Sequence, residues 1–379
     1  MRDDRARAGL FAGAFLGPFG GGITVAMLPE LGSSYGVSAA VASTSITAYL
    51  LPFAGLMLVS GTLGERWGRR RTVVSAYVVY VLASLACVLA AGLGVFLVAR
   101  AVQGAANAFT TPLLLAALAA TVPPERLGRT LGWFGALQAA GQTSAPLLGG
   151  LAAEVDWRLA FGGVAVVALV LAVLGVPSGR ARPAGVPAAG LRTAWRPEVL
   201  RIGVVAAVGW GCVAGLAFMV ALRLEDDLGL GAGPRGLVLT VLGVAGILTA
   251  RLVGGGVDRV GPRRSVLAGA VLGALVLAGA GLAPTVGAVV AAWALGGVAT
   301  QLVLVGLNAL VLGSAGANPS GSISTVQAVR FGGGALAPVA FTPVYAADPV
   351  LGFLLPAALL VVVVPLALPP APPSPDMES

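Results

Sequence analysis

Gly61-Thr-Leu-Gly-Glu65-Arg66-Trp-Gly68-Arg69-Arg70-Arg71 returns 193 residues later as Gly254-Gly-Gly-Val-Asp258-Arg259-Val-Gly261-Pro-Arg263-Arg264, each copy set between two long apolar stretches. A charged turn that occurs twice inside an otherwise apolar chain points to a duplicated membrane unit. Composition agrees: 58% of residues are hydrophobic, 10% are charged and the mean hydropathy is +0.95, against roughly 25% charged residues in a soluble domain. All 23 basic residues are arginine, and there is no histidine to carry protons. These arginines sit in short turns between apolar spans, where they orient the chain in a bilayer, so the basic pI does not indicate nucleic acid. Cys87 and Cys212 fall one in each half, inside apolar spans, and build neither a disulfide framework nor a metal site.

Crossing a bilayer takes about 20 apolar residues, and each crossing must pair its own backbone groups, so each is a helix. Twelve such spans are expected, at 8–28, 38–62, 72–92, 94–120, 129–152, 159–177, 199–221, 235–256, 265–283, 285–312, 321–344 and 348–368. The expected fold is an all-α integral membrane protein of twelve transmembrane helices in two pseudo-symmetric six-helix bundles, 1–177 and 199–368. A Pro-, Gly-, Ala- and Arg-rich linker at 178–198 joins them, and a Pro-rich tail at 369–379 reads as disordered. With the N-terminus inside, seventeen arginines fall in cytoplasmic segments and three (Arg158, Arg223, Arg235) in external turns, which puts both termini in the cytoplasm. The first span resembles a signal peptide after Arg2, Arg5 and Arg7, but its loss would leave eleven helices, so it is expected to be retained. Gly9, Gly13, Gly17 and Gly21 along it form a small-residue stripe for close helix packing.

Gly61-x3-Glu65-Arg66-x-Gly68-Arg69-Arg70 resembles the loop between helices 2 and 3 of the major facilitator superfamily, with Glu where that family usually has Asp; the second copy keeps Asp258. The resemblance covers nearly the whole chain. It implies a cytoplasmic gate of Gly61, Glu65, Arg66, Gly68, Arg70, Asp258 and Arg259, where carboxylate–guanidinium pairs lock the two halves; a purely topogenic basic loop is the alternative. Arg100-x2-Gln103-Gly104-x2-Asn107-Ala108 resembles the family's helix 4. At 100° per residue Arg100, Gln103, Asn107 and Thr111 share a sector of about 80°. Arg100 thus faces a wet cavity or a partner, or else snorkels to the surface. Gly132-x8-Gly141-x3-Ala145-Pro146-x2-Gly149-Gly150 is similar to the helix 5 element of drug–proton antiporters, with Ala145 replacing one glycine. Its small residues would pack on a helix of the other half, and the resemblance implies export.

The family architecture implies a substrate cavity between the halves, for which the polar and aromatic candidates are Tyr49, Arg100, Gln103, Asn107, Gln138, Gln142, Trp210, Trp293, Gln301, Asn308, Gln327 and Arg330. No Asp or Glu lies mid-span. Glu30, at the outer end of the first helix, is the candidate for proton coupling, while Arg100 and Arg330 would favour an anionic solute. The expectation is a monomeric plasma-membrane transporter in contact with lipid, exporting small amphipathic or drug-like molecules, with the proton as coupling ion and no cofactor, metal or nucleic acid. Import or facilitated passage of a metabolite is one alternative, and a non-transporting sensor or anchor is another. No nucleophile–base set, phosphate loop or metal cluster supports an enzyme.

Overall fold

The computed structural model describes residues 2–121, 124–175, 195–314 and 319–369. Most of the linker and the tail expected from the sequence lie outside them. The described residues form twelve helical stretches: α1 (2–35), α2 (39–67), α3 (Arg69–Leu89), α4 (93–121), α5 (Pro124–Ala153), α6 (Arg158–Leu174), α7 (197–226), α8 (Ala232–Val260), α9 (Pro262–Leu282), α10 (Val286–Ser314), α11 (Pro319–Ala347) and α12 (Pro349–Ala367). Nine of these stretches are long and apolar enough to cross a membrane. The other three have visible reasons for falling short. Helix α6 has 17 residues, α5 carries Gln138, Gln142, Thr143 and Ser144, and α11 carries Ser322, Ser324, Thr325, Gln327 and Arg330. Outward-facing leucines and valines such as Leu82, Leu89, Leu248 and Leu252 are largely exposed, as a lipid-facing belt requires.

The duplication is written into the backbone at the same 193-residue offset. Arg69–Leu89 corresponds end for end to Pro262–Leu282. Gly36 and Gly229 both have φ of 65°, and Gly68 and Gly261 have φ of 92° and 87°. These are left-handed values that a side chain resists, so glycine is required where each helix stops and turns. Deeper in, a Cβ on Gly104 would strike the carbonyl of Tyr49, and one on Gly297 would strike that of Leu242, again 193 residues on. Helices α2 and α4, like α8 and α10, cross backbone to backbone at these glycines.

Two helices are broken near one end by a 3-10 turn. Helix α1 passes through a 3-10 turn at Val25–Met27 before Leu28–Tyr35, and α7 does the same at Ala214–Leu216. Both run past their apolar stretch, to Tyr35 and Asp226. Two of the expected external-turn arginines are therefore helical. Arg223 lies in the last turn of α7, and Arg235 in the first turn of α8. The expected spans stop at 221 and begin at 235, where charge begins, but Arg223 finds the Ala283 carbonyl and Arg235 finds Glu30, so the helices carry both side chains. Between the sequence halves, α2 packs along α11 and α5 along α8.

Candidate functional site

The two repeated turns define one face of the molecule. Gly68 leaves α2 in the left-handed region, and the Thr72 hydroxyl bonds back to the carbonyls of Gly64 and Gly68 at 3.3 and 3.2 Å. Arg69 Nη1 donates to the Ala116 carbonyl at 3.1 Å, tying the turn to α4. Arg66, Arg70, Asp258 and Arg259 are exposed, and Asp258 makes no ion pair among the described residues. The Glu65 side chain lies outside the described ones, so the carboxylate expected to complete the first gate is not placed. Gly61 approaches Pro112 of α4.

The opposite face is joined by a charge cluster that sequence reasoning missed. Arg235, 1% exposed, donates through Nη2 to both oxygens of Glu30 at 2.5 and 2.6 Å, and its Nη1 lies 3.2 Å from Glu225. Its Nε and Nη2 also reach the Ala26 carbonyl at 3.2 and 3.1 Å, and Nη1 the Leu230 carbonyl at 2.8 Å. The break in α1 frees the Ala26 carbonyl for this role, since an unbroken helix would use it internally. Thus α1 is latched to α7 and α8 by one guanidinium with two carboxylates. Beside it Glu154 accepts from the Gly233 amide at 3.0 Å, and Tyr345 donates to Asp226 at 3.4 Å. Pro29, Glu30, Ser33, Ser34 and Glu225 line an open cleft of about 370 Å³ over the latch. The available sequence signal was Arg235 directly after Pro234, within ten residues of Glu225-Asp226-Asp227.

The seam between the halves continues inward from the latch. Ser43 meets Thr342 at 3.3 Å, Thr47 donates to the Ala335 carbonyl at 2.6 Å, and Phe53 meets Phe331 edge-on at 5.1 Å between ring centres. Helix α5 closes the other side. A Cβ on Gly150 would strike the Ala232 carbonyl of α8, and one on Gly236 the Pro146 carbonyl. Gly141 and Gly149 instead face the carbonyls of Phe15 and Ile23 on α1, while Ala145 touches Gly22. The stripe was expected to pack on the other half. Among its described residues only Gly150 and Pro146 do so, because α5 lies between α1 and α8 and shows small residues to both; the surroundings of Gly132 lie outside the described residues.

Four cavity candidates converge in the first half. Arg100, fully buried, donates through Nη1 to the Gly20 carbonyl (3.0 Å) and Gln103 Oε1 (2.8 Å), with its guanidinium 4.3 Å from the Tyr49 ring centre. Gln103 donates to Ser84, and Asn107 to the Gly17 carbonyl and the Tyr49 hydroxyl. An arginine in a span costs about 2.5–3.5 kcal/mol on insertion scales, and this one meets no carboxylate among the described residues. Its Nε and Nη2 are unpartnered. In the second half Arg330 lies 4.6 Å from the Phe331 ring centre and 5.5 Å from that of Trp210. The remaining candidates scatter. Trp293 is buried and donates to the Leu239 carbonyl (3.2 Å); Gln301 lies against Gly246; Gln138 and Gln327 are half-buried; Gln142 and Asn308 are exposed.

Residues 10–338 match the sequence pattern of the Major Facilitator Superfamily. The chain belongs to that superfamily. Over 141 residues it is 36% identical to the uncharacterized MFS-type transporter EfpA of Mycobacterium tuberculosis, covering 37% of this chain and 26% of that protein. Over 119 residues it is 38% identical to the drug efflux pump JefA of the same organism, covering 31% and 23%. The matched stretches thus span about a quarter of these relatives' length. A bacterial homologue of the human lysosomal transporter Spinster, inward-facing and unoccupied, superposes with a TM-score of 0.76 at 16% identity, covering 97% of this chain and 95% of that one. A D-xylose–proton symporter gives 0.77 at 14% identity, with coverage of 97% and 99%. At such identities the superpositions establish the fold alone.

Proposed function

We propose that this superfamily member is a monomeric plasma-membrane exporter of small amphipathic, drug-like molecules, working by alternating access with the proton as counter-ion. In this reading all twelve helices cross the bilayer, as bundles 1–177 and 199–368 joined by a cytoplasmic linker at 178–198, with both termini inside. The observation that carries the reading is the distribution of contacts along the seam. The latch, the Ser43–Thr342 and Thr47–Ala335 bonds and the α5–α8 glycine contacts join the halves from the latch face inward. At the arginine-rich face Arg66, Asp258 and Arg259 are exposed. Such an arrangement suits a cavity open to the cytoplasm and sealed outside. The helix 5 pattern and the drug efflux pump JefA among the relatives favour export.

Glu30 is the coupling candidate. It borders a cleft open at the latch face and holds Arg235 across the seam. A proton added to Glu30 removes its charge and leaves Arg235 with Glu225 alone, so the outer seal loosens and solute can leave. Loss of that proton towards the cytoplasm restores the latch. Everted vesicles with an acidic lumen test this. They should accumulate a dye such as ethidium, and an uncoupler should abolish the accumulation. Dye loss from preloaded vesicles under the same gradient would assign import, and accumulation that survives the uncoupler would remove the proton and Glu30.

A further inference from the structure

The three buried arginines among the described residues are treated differently. Arg235 receives two carboxylates and two backbone carbonyls. Arg100 is sealed at 0% exposure and spends Nη1 on Gly20 and Gln103. Arg330, 9% exposed, makes no hydrogen bond or ion pair among the described residues; its Nε is buried without a partner, and aromatic faces are what surround it. It lies eleven residues from the start of the 29-residue α11, about 17 Å along the axis and so near mid-depth. A guanidinium in such a place needs a counter-charge, and the fold supplies one to Arg235 and none to Arg330.

The surroundings are built and not incidental. Gly334 lets the Trp210 ring lie on α11, since a Cβ there would strike the indole, and Gly211 sits against Gly333. Trp210 meets Phe331 at 5.2 Å and 74°, and Phe331 meets Phe53 of α2 at 5.1 Å and 80°. Phe53 stacks on Tyr49 at 6.3 Å, so an aromatic ladder crosses the seam from Arg330 to Arg100. A planar fork accepts a carboxylate or sulfonate in two parallel bonds, and the rings beside it accept a flat apolar body.

We infer that Arg330, with Trp210 and Phe331, forms a subsite for amphipathic monoanions with an aromatic body and a carboxylate or sulfonate head. The inference rests on the proposed transport reading and adds to its amphipathic solutes a subsite that selects anions. Binding at Phe331 also bears on Phe53 in the other half, so an occupant is felt across the seam.

Two probes that share a fluorophore test it: dansylglycine, an anion, and dansylcadaverine, a cation, titrated at pH 7 into the purified full chain in detergent by dansyl fluorescence excited through tryptophan. Saturable binding of dansylglycine is expected, at least tenfold tighter than that of dansylcadaverine. Arg330→Gln should weaken it at least tenfold and Arg330→Lys by less, with dansylcadaverine unchanged. Unlabelled 2-naphthoate should displace dansylglycine from the wild-type protein, which keeps the test valid if Arg330→Gln does not fold. Equal affinity for the two probes, unchanged dansylglycine affinity in Arg330→Gln or Arg330→Lys, or no displacement by naphthoate would overturn the subsite. Vesicle transport separates the two readings. Dansylglycine that binds through Arg330 but is imported sinks export and keeps the subsite; ethidium export with no dansylglycine binding does the reverse.

Discussion

Arg235 shows how a single side chain decides whether a helix end is a turn or a joint. Its guanidinium is shared among Glu30, Glu225 and the Ala26 and Leu230 carbonyls, so removing it strands two carboxylates and two carbonyls in one place. Losing one member of a buried ion pair costs about 3–5 kcal/mol. Glu30 is partly exposed, at 28% of its side chain, so its loss weighs less. Arg235→Gln is expected to lower the unfolding temperature in detergent by more than Glu30→Gln does. The double variant should recover part of the loss, because the two changes act on one contact; strictly additive shifts would show that the pair is not coupled. Transport separates the roles. Glu30→Gln should fold yet lose its response to the proton gradient, and retained gradient-driven dye transport by Glu30→Gln would exclude this carboxylate. Arg100 belongs to a different class, since Arg100→Lys keeps the charge but loses the planar guanidinium that lies on the Tyr49 ring while Nη1 reaches Gly20 and Gln103. Transport by Arg100→Lys should fall several-fold at matched expression, and wild-type rates in Arg100→Ala would assign the residue no part in transport.

Helix α5 can be dissected because its glycines face different neighbours. Gly149 abuts the Ile23 carbonyl within the first half, and Gly150 abuts the Ala232 carbonyl across the seam. Overpacking either contact costs about 1–3 kcal/mol, but the consequences differ. Gly149→Leu should mainly reduce stability, seen as a lower unfolding temperature. Gly150→Leu should leave folding nearer to normal and abolish dye export by wedging α5 from α8. Gly135→Ala, with open space where its Cβ would go, is the control and should behave as wild type. Equal transport by Gly150→Leu and Gly135→Ala would remove the seal from this contact. The glycine spacing could be read along the chain, but which helix each glycine meets could not, because a stripe of small residues is equally good packing for any neighbour.

Across the whole molecule the latch face is held by contacts far apart in sequence, such as Ser43 with Thr342 and Glu30 with Arg235. In a chain with Cys87 and Cys212 replaced, Ser43→Cys with Thr342→Cys should form a disulfide that stops transport, and a reductant should restore it. Transport that continues with the disulfide formed would show that this end need not open. Chain chemistry by itself determined the membrane class, the number and order of the helices and the two-fold repeat. Hydrophobic length, paired backbone and the left-handed glycines at 36, 68, 229 and 261 are local properties, and they act within one helix or one turn. Only the tertiary structure decided what each buried charge meets. It placed Arg235 on Glu30 some 205 residues away, sealed Arg100 against Tyr49, and left Arg330 among rings without a counter-charge. Those outcomes depend on how α1, α7, α8 and α11 come together at the seam, and a charge in an apolar span carries no mark of the partner it will find.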